Sequence, residues 1–309
     1  METRILQGTG IQERIFTQVK MQVMESVAAS GNTPGIAFIS FEGVPLSKYS
    51  IPLHLKVATD SGFRVFHDHL PADVSFANVQ ETIRKHNEEQ QVHAIVILQP
   101  VPPHLNPILV ENLIRPEKEV EGFHPMNMLG TMLPEIGINP YPMCLPSALK
   151  EILTEEGVSV RPDDEWLFVL DDEFFTNPLT MMIVRASASR VVPKESPLTF
   201  INKESHKLEE HIRKADFLVV VSKFPCYLDC GWLKPGVTII DIYSNLVREV
   251  TSKQDPSRLV PVIRGGVDIE KAKGTAGNIL GIPGGLMTVV LAILLRNAIQ
   301  AFIKSEKAK

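Results

Sequence analysis

The sequence is short of cysteine, of basic excess and of long apolar runs. Its 309 residues hold three cysteines, Cys144, Cys226 and Cys230. That is too few for a disulfide framework and points to a reducing compartment. Cys226 and Cys230 are spaced CxxxC with no second pair, below the ligand count of a structural zinc site. Lys and Arg number 31 against 36 Asp and Glu, a formal charge of -5, which argues against binding nucleic acid by phosphate neutralisation. The longest apolar stretch, Leu286 to Leu295, stops at Arg296, short of the ~20 residues of a membrane span. Glu2 and Glu13 and the lack of an apolar core at the N-terminus exclude a secretory signal, leaving the cytoplasm or the mitochondrial matrix. There is no internal repeat, no P-loop and no Gly-x-Ser-x-Gly elbow.

What is present is an alternation of strands and helices. Gly35 to Ser40 reads as a buried strand, Leu46 to Ser61 as a helix stopped by Gly62, and Phe63 to His67 as a second strand. Val74 to Asn87 reads as a helix with Val74, Val79 and Ile83 on one side, and His93 to Leu98 as a continuous apolar strand ended by Pro100, Pro102 and Pro103. A second set begins near Ser147. Its predicted strands are Trp166 to Leu170, Phe217 to Val221 and Val237 to Asp241, with a helix over Leu179 to Ala186. Strands alternating with helices predict βαβ units and parallel sheets. The last helix, Leu286 to Ile303, is apolar on several sides and is expected to pack back on the first domain.

Five stretches, in order over nearly the whole chain, resemble one family. They are Leu6-Gln-Gly8, Arg115-Pro-Glu-Lys-Glu-Val-Glu-Gly-Phe123, Ala215-Asp-Phe-Leu-Val219, Trp232-Leu-Lys-Pro-Gly-Val-Thr-Ile-Ile-Asp241, and Ile282-Pro-Gly-Gly285 followed by Met287-Thr288. Together they resemble the bifunctional methylenetetrahydrofolate dehydrogenase/methenyltetrahydrofolate cyclohydrolase family. The resemblance implies an α/β chain with an N-terminal folate-type domain, a C-terminal Rossmann-like doubly wound domain and a cleft between them. The expected boundaries are 1–145, joined by the C-terminal helix 286–309, and 146–285. It further implies a homodimer, folate in the cleft and NAD(P) on the second domain.

The residues that the resemblance makes catalytic are altered. The family's lysine lies in a helix reading S-x-x-Y-x-x-x-K. Ungapped alignment from Ser47 to Gly62 puts Ser50 at the tyrosine and His54 at the lysine. Tyr49 and Lys56 stand one and two places off, turned by roughly 100° and 200° on a helix, and Pro52 removes a backbone donor within it. His54 titrates near neutral pH and is either a replacement base or an idle substitution. The family's V-Q-L-P becomes Ile97-Leu98-Gln99-Pro100, a one-residue shift that turns a strand side chain to the other face. Glu121 keeps the pterin-side acid, and is otherwise a loop carboxylate. Pro283, Gly284 and Gly285 remain of a loop that the family has two residues longer. His67 and His69 share a strand face but lack a third metal ligand, so no metal site is expected.

The cofactor loop departs furthest. Where the family has G-R-S-x-x-V-G, this chain has Leu170, Asp171 and Asp172, then Glu173, and Thr176 at the second glycine. A like-charge contact at ~4 Å costs on the order of 4 kcal/mol at a dielectric of about 20, against ~0.3–1 kcal/mol gained at a helix N-terminus. The expectation is therefore that no cofactor is held, NADP or NAD binding only if the site proves competent. The reading that follows is a catalytically inactive family member acting as a structural or interaction subunit, in a homodimer, a heterodimer or a larger assembly. The alternatives are an active enzyme with an altered site and a folate-binding protein without turnover.

Overall fold

The structure, a computed structural model, describes residues 2–138, 141–171 and 191–308. The predicted helix over Leu179 to Ala186 lies outside these residues. In chain order the elements are β1 (Arg4–Ile5), α1 (Thr9–Ser30), β2 (Gly35–Phe41), α2 (Ser47–Asp60), β3 (Arg64–Leu70), α3 (Phe76–Glu88) and β4 (Ala94–Ile97). Next come α4 (Pro107–Glu111), α5 (Pro125–Met132), α6 (Cys144–Glu155), β5 (Trp166–Leu170), β6 (Leu198–Asn202), α7 (Leu208–Ile212) and β7 (Phe217–Val221). The chain closes with β8 (Thr238–Asp241), β9 (Asn245–Thr251), β10 (Leu259–Arg264), α8 (Ile269–Ala272), β11 (Asn278–Leu280) and α9 (Leu286–Lys307). Two compact units form. One holds Gln12–Ser147 and the chain from Val290 on. The other holds the chain up to Ile11 and the described residues between Ala148 and Val289.

The first unit is built on a parallel three-stranded sheet ordered β3-β2-β4. β2 is buried along its whole length, as an apolar strand must be when both faces are covered. On one face Ala37, Ile39 and Phe41 meet Val79 and Ile83 of α3 and Ile95 and Ile97 of β4. On the other, Phe38 meets His54 of α2. The chain runs from β2 to β3 on one side and then to β4 on the other, so the strand order reverses between β2 and β4. In open α/β sheets such a switch point is where ligands sit. Ser75 caps α3 by accepting from Asn78 N, and Asn106 caps α4 by accepting from Ile108 N and Leu109 N. α2 runs through Pro52 without interruption.

α9 is long and apolar enough to cross a membrane by length and composition, yet most of it is buried within the protein. Its Asn297 donates to Val120 O at 2.8 Å and Pro142 O at 2.9 Å. Its Phe302 meets the His93 ring edge-on at 4.8 Å.

The second unit carries a six-stranded sheet ordered β1-β11-β8-β7-β5-β6, parallel at every pairing. β5 matches its predicted bounds, as does β7, because uninterrupted apolar runs bounded by polar residues leave little latitude. Leu167, Val169, Leu218, Val220 and Ile239 form its core with Leu208, Ile212 and Val267. The antiparallel β9–β10 pair was not read from the sequence, since both strands are only half-buried and so lack an apolar run.

Candidate functional site

In the first unit the site is built on the loop that links β4 and α4 to α5. Glu119, buried, accepts backbone bonds from Glu121 N (2.7 Å), Gly122 N (2.8 Å) and His124 N (3.0 Å), and a fourth from Asn127 Nδ2 (2.9 Å). This carboxylate folds the loop around itself and fixes the backbone of Glu121. Gly122 has φ +91°, and a Cβ there would stand 2.6 Å from Met143 Cα, so the loop also lies hard against the segment entering α6. Burial, and then the charge of Glu119, push the Glu121 carboxyl up to about 8. His124 serves the local structure: its Nδ1 accepts from Met126 N and caps α5.

Gln99 is not aimed at an open pocket. Its Nε2 donates to Glu111 Oε1 at 2.9 Å, and its Oε1 accepts from Val101 N at 3.2 Å. Glu111, the last residue of α4, is 1% exposed and escaped the sequence reading. The signal was there, a lone acid after Ile108-Leu-Val110 on a short capped helix. Burial pushes its carboxyl well up, and the charges of Glu121 and Glu119 add to the shift, while the Gln99 bond opposes it. Such a group favours folding below its ordinary value near 4.5, and that contribution is lost as pH rises toward the folded value. Glu111→Gln is therefore expected to match the parent's unfolding midpoint at about pH 4.5 and to exceed it at about pH 9. Parallel melting curves at both pH values test this, and a constant offset between the two proteins would refute it.

His54 and Ser50 are one helical turn apart on α2. His54 Nδ1 lies 2.7 Å from Ser50 O, and a carbonyl only accepts, so Nδ1 carries the proton. The other nitrogen, Nε2, then bears the lone pair. Burial lowers the pKa of the ring below 6.5, outweighing the Ser50 bond, so the neutral imidazole prevails at neutral pH. Lys56, two places on, is exposed and bonds Asp60. His67 and His69 converge on a hydroxyl rather than on each other, with Ser40 Oγ at 2.8 Å from His67 Nε2 and from His69 Nδ1.

In the second unit Leu170 ends β5, and Asp171 follows it at the carboxyl edge of the sheet. Asp171 Oδ2 accepts from Ser222 Oγ at 2.7 Å, and Oδ1 accepts from Lys223 N at 3.0 Å. The carboxylate ties the ends of β5 and β7 together. Asp172 and Thr176 lie outside the described residues. Asp241, at the end of β8, accepts from Gly266 N at 3.0 Å and Val267 N at 2.9 Å. Burial pushes it up to about 7, against those bonds. Pro283, Gly284 and Gly285 lead into α9, and Gly8 packs on them. A Cβ on Gly8 would fall 2.7 Å from Gly285 O, and one on Gly285 would fall 2.8 Å from Gly281 O, so neither position has room for a side chain.

Residues 6–121 match the tetrahydrofolate dehydrogenase/cyclohydrolase catalytic domain, and residues 143–306 match that family's NAD(P)-binding domain. The chain belongs to the tetrahydrofolate dehydrogenase/cyclohydrolase family. Its similarity to other members runs end to end. A bifunctional protein FolD of Desulfosudis oleivorans is 29% identical over 301 residues, covering 97% of each chain. The mitochondrial bifunctional protein FolD 1 of Arabidopsis thaliana is 29% identical over 97% of this chain and 81% of its own. Among solved structures, the Trypanosoma brucei methylenetetrahydrofolate dehydrogenase-cyclohydrolase complexed with NADP and an inhibitor superposes with a TM-score of 0.83, at 25% identity over 99% of each chain.

The match to an NAD(P)-binding domain overturns the expectation that this family member holds no cofactor. That expectation summed the carboxylates from Asp171 onward as unscreened repulsion toward a phosphate. In the structure Asp171 is turned into the sheet edge and satisfied by a hydroxyl and a backbone N–H. Both of its oxygens thus point at donors of the sheet edge, in charge-assisted hydrogen bonds.

Proposed function

We propose that this chain is an active methylenetetrahydrofolate dehydrogenase/methenyltetrahydrofolate cyclohydrolase with an altered site, in which His54 replaces the lysine as base. The observation that carries this reading is the state of His54. A half-buried neutral imidazole, with Nδ1 fixed on the Ser50 carbonyl, presents Nε2 as a proton acceptor. As water adds to the methenyl carbon, Nε2 takes one of its protons. The remaining O–H proton passes to the departing nitrogen when the carbon–nitrogen bond breaks, leaving the formyl product. Glu121 is the pocket acid for the donor edge of the pterin, held in place by Glu119 and by Asn297 through Val120. NAD(P), when bound to the second unit, supplies the hydride acceptor for the first step.

One observation favours the inactive subunit instead: the Gln99 amide is committed at both ends, to Glu111 and to Val101. Assay of the purified protein with methylenetetrahydrofolate plus NADP or NAD, and separately with methenyltetrahydrofolate, decides between them. Turnover of either substrate above the uncatalysed rate is expected. Dinucleotide binding with no turnover of either would favour the interaction subunit.

A further inference from the structure

We propose that Lys203 makes the second unit selective for a dinucleotide that bears a 2′-phosphate, NADP rather than NAD. The inference rests on the reading above that this unit takes a dinucleotide, and extends it to the choice between the two. β5 and β6 are the first two strands of the doubly wound set, paired in parallel with Leu170 opposite Asn202. In this architecture the residue closing the second strand faces the adenosine ribose. An acid there accepts from the ribose hydroxyls, whereas a nearby cation accommodates a 2′-phosphate.

Here the strand closes on neutral Asn202, and the next residue is Lys203. Its side chain is only 20% exposed, and its ammonium sits 3.8 Å from the centroid of the Phe224 ring. Phe224 follows β7, is 51% exposed, and is tied by its N–H to Ser222 Oγ. The edge thus carries an exposed flat ring with a seated cation, a surface suited to a purine and an adjoining phosphate. Glu204 bonds the same ammonium at 2.8 Å but is itself 70% exposed. A phosphate, with more charge and more acceptor oxygens, is the stronger partner for Lys203.

The competing arrangement has Glu204 accept from the ribose hydroxyls of NAD. The two differ in a binding measurement that needs no turnover. Calorimetric titration with NADP, NAD, adenosine 2′,5′-bisphosphate and AMP should show the 2′-phosphorylated member of each pair binding about tenfold tighter or more. Lys203→Ala should remove most of that difference while changing NAD affinity less than about twofold. Glu204→Gln should strengthen NADP binding and leave NAD unchanged. Equal affinities for NADP and NAD, or NAD binding lost in Glu204→Gln, overturn the role of Lys203 while leaving the dinucleotide reading intact. Failure of both dinucleotides to bind overturns the two together.

Discussion

His54→Ala is expected to lower methenyltetrahydrofolate hydrolysis by about 10²–10⁴-fold, the usual worth of a positioned general base. The ring packs on Phe38, so some loss of stability accompanies the change. His54→Gln keeps much of the volume without a basic nitrogen and should be as inactive. The pH profile separates a base from a packing residue. Because burial lowers the imidazole pKa, the parent's activity should hold through neutral pH and fall only as pH drops below its ordinary 6.5. Neither variant should keep that acid limb. Hydrolysis in His54→Ala within about twofold of the parent would exclude His54 as the base, since a base contributes far more than that.

Gly122→Ala is expected to destabilise the first unit substantially. Its φ of +91° is one that L side chains avoid, at about 1–2 kcal/mol, and the added Cβ would meet Met143 Cα at 2.6 Å. Displacing backbone in a packed interior adds roughly 1–3 kcal/mol. A fall in the melting temperature of about 5–15 °C follows for a unit of this size. Folate binding should weaken as well, because Glu121 precedes the glycine and shares its loop. A variant that melts with the parent would mean that the loop moves off Met143 at little cost. Gly10→Ala is a suitable control, since a Cβ there meets nothing within 4 Å.

The central strands of both sheets and the family were legible in the sequence because they rest on local information. Trp166–Leu170 and Phe217–Val221 are apolar runs that only a strand covered on both faces accommodates. Glycines and prolines at fixed spacings mark turns that few other residues can make. The proposed replacement of the lysine by His54 rests likewise on local information, the alignment along one helix. The loop motif alone also singled out Glu121, which is proposed here as the pterin-side acid.

Three features were decided only by tertiary structure, each because it depends on partners remote in sequence. Asp171 looked like a repulsive charge until folding placed Ser222 and the Lys223 N–H against it. Glu111 was not singled out by the sequence, and only the packing of α4 buried it beside Gln99 and within reach of the Glu121 charge. His54 had an identity but no protonation state, which burial against Phe38 and the Ser50 carbonyl supplied. Sequence pattern fixes which face of a strand or helix is apolar, through periodicities of two and 3.6 residues. The charge that a carboxylate or imidazole presents depends on the dielectric and the donors around it, and those are assembled only when distant segments meet.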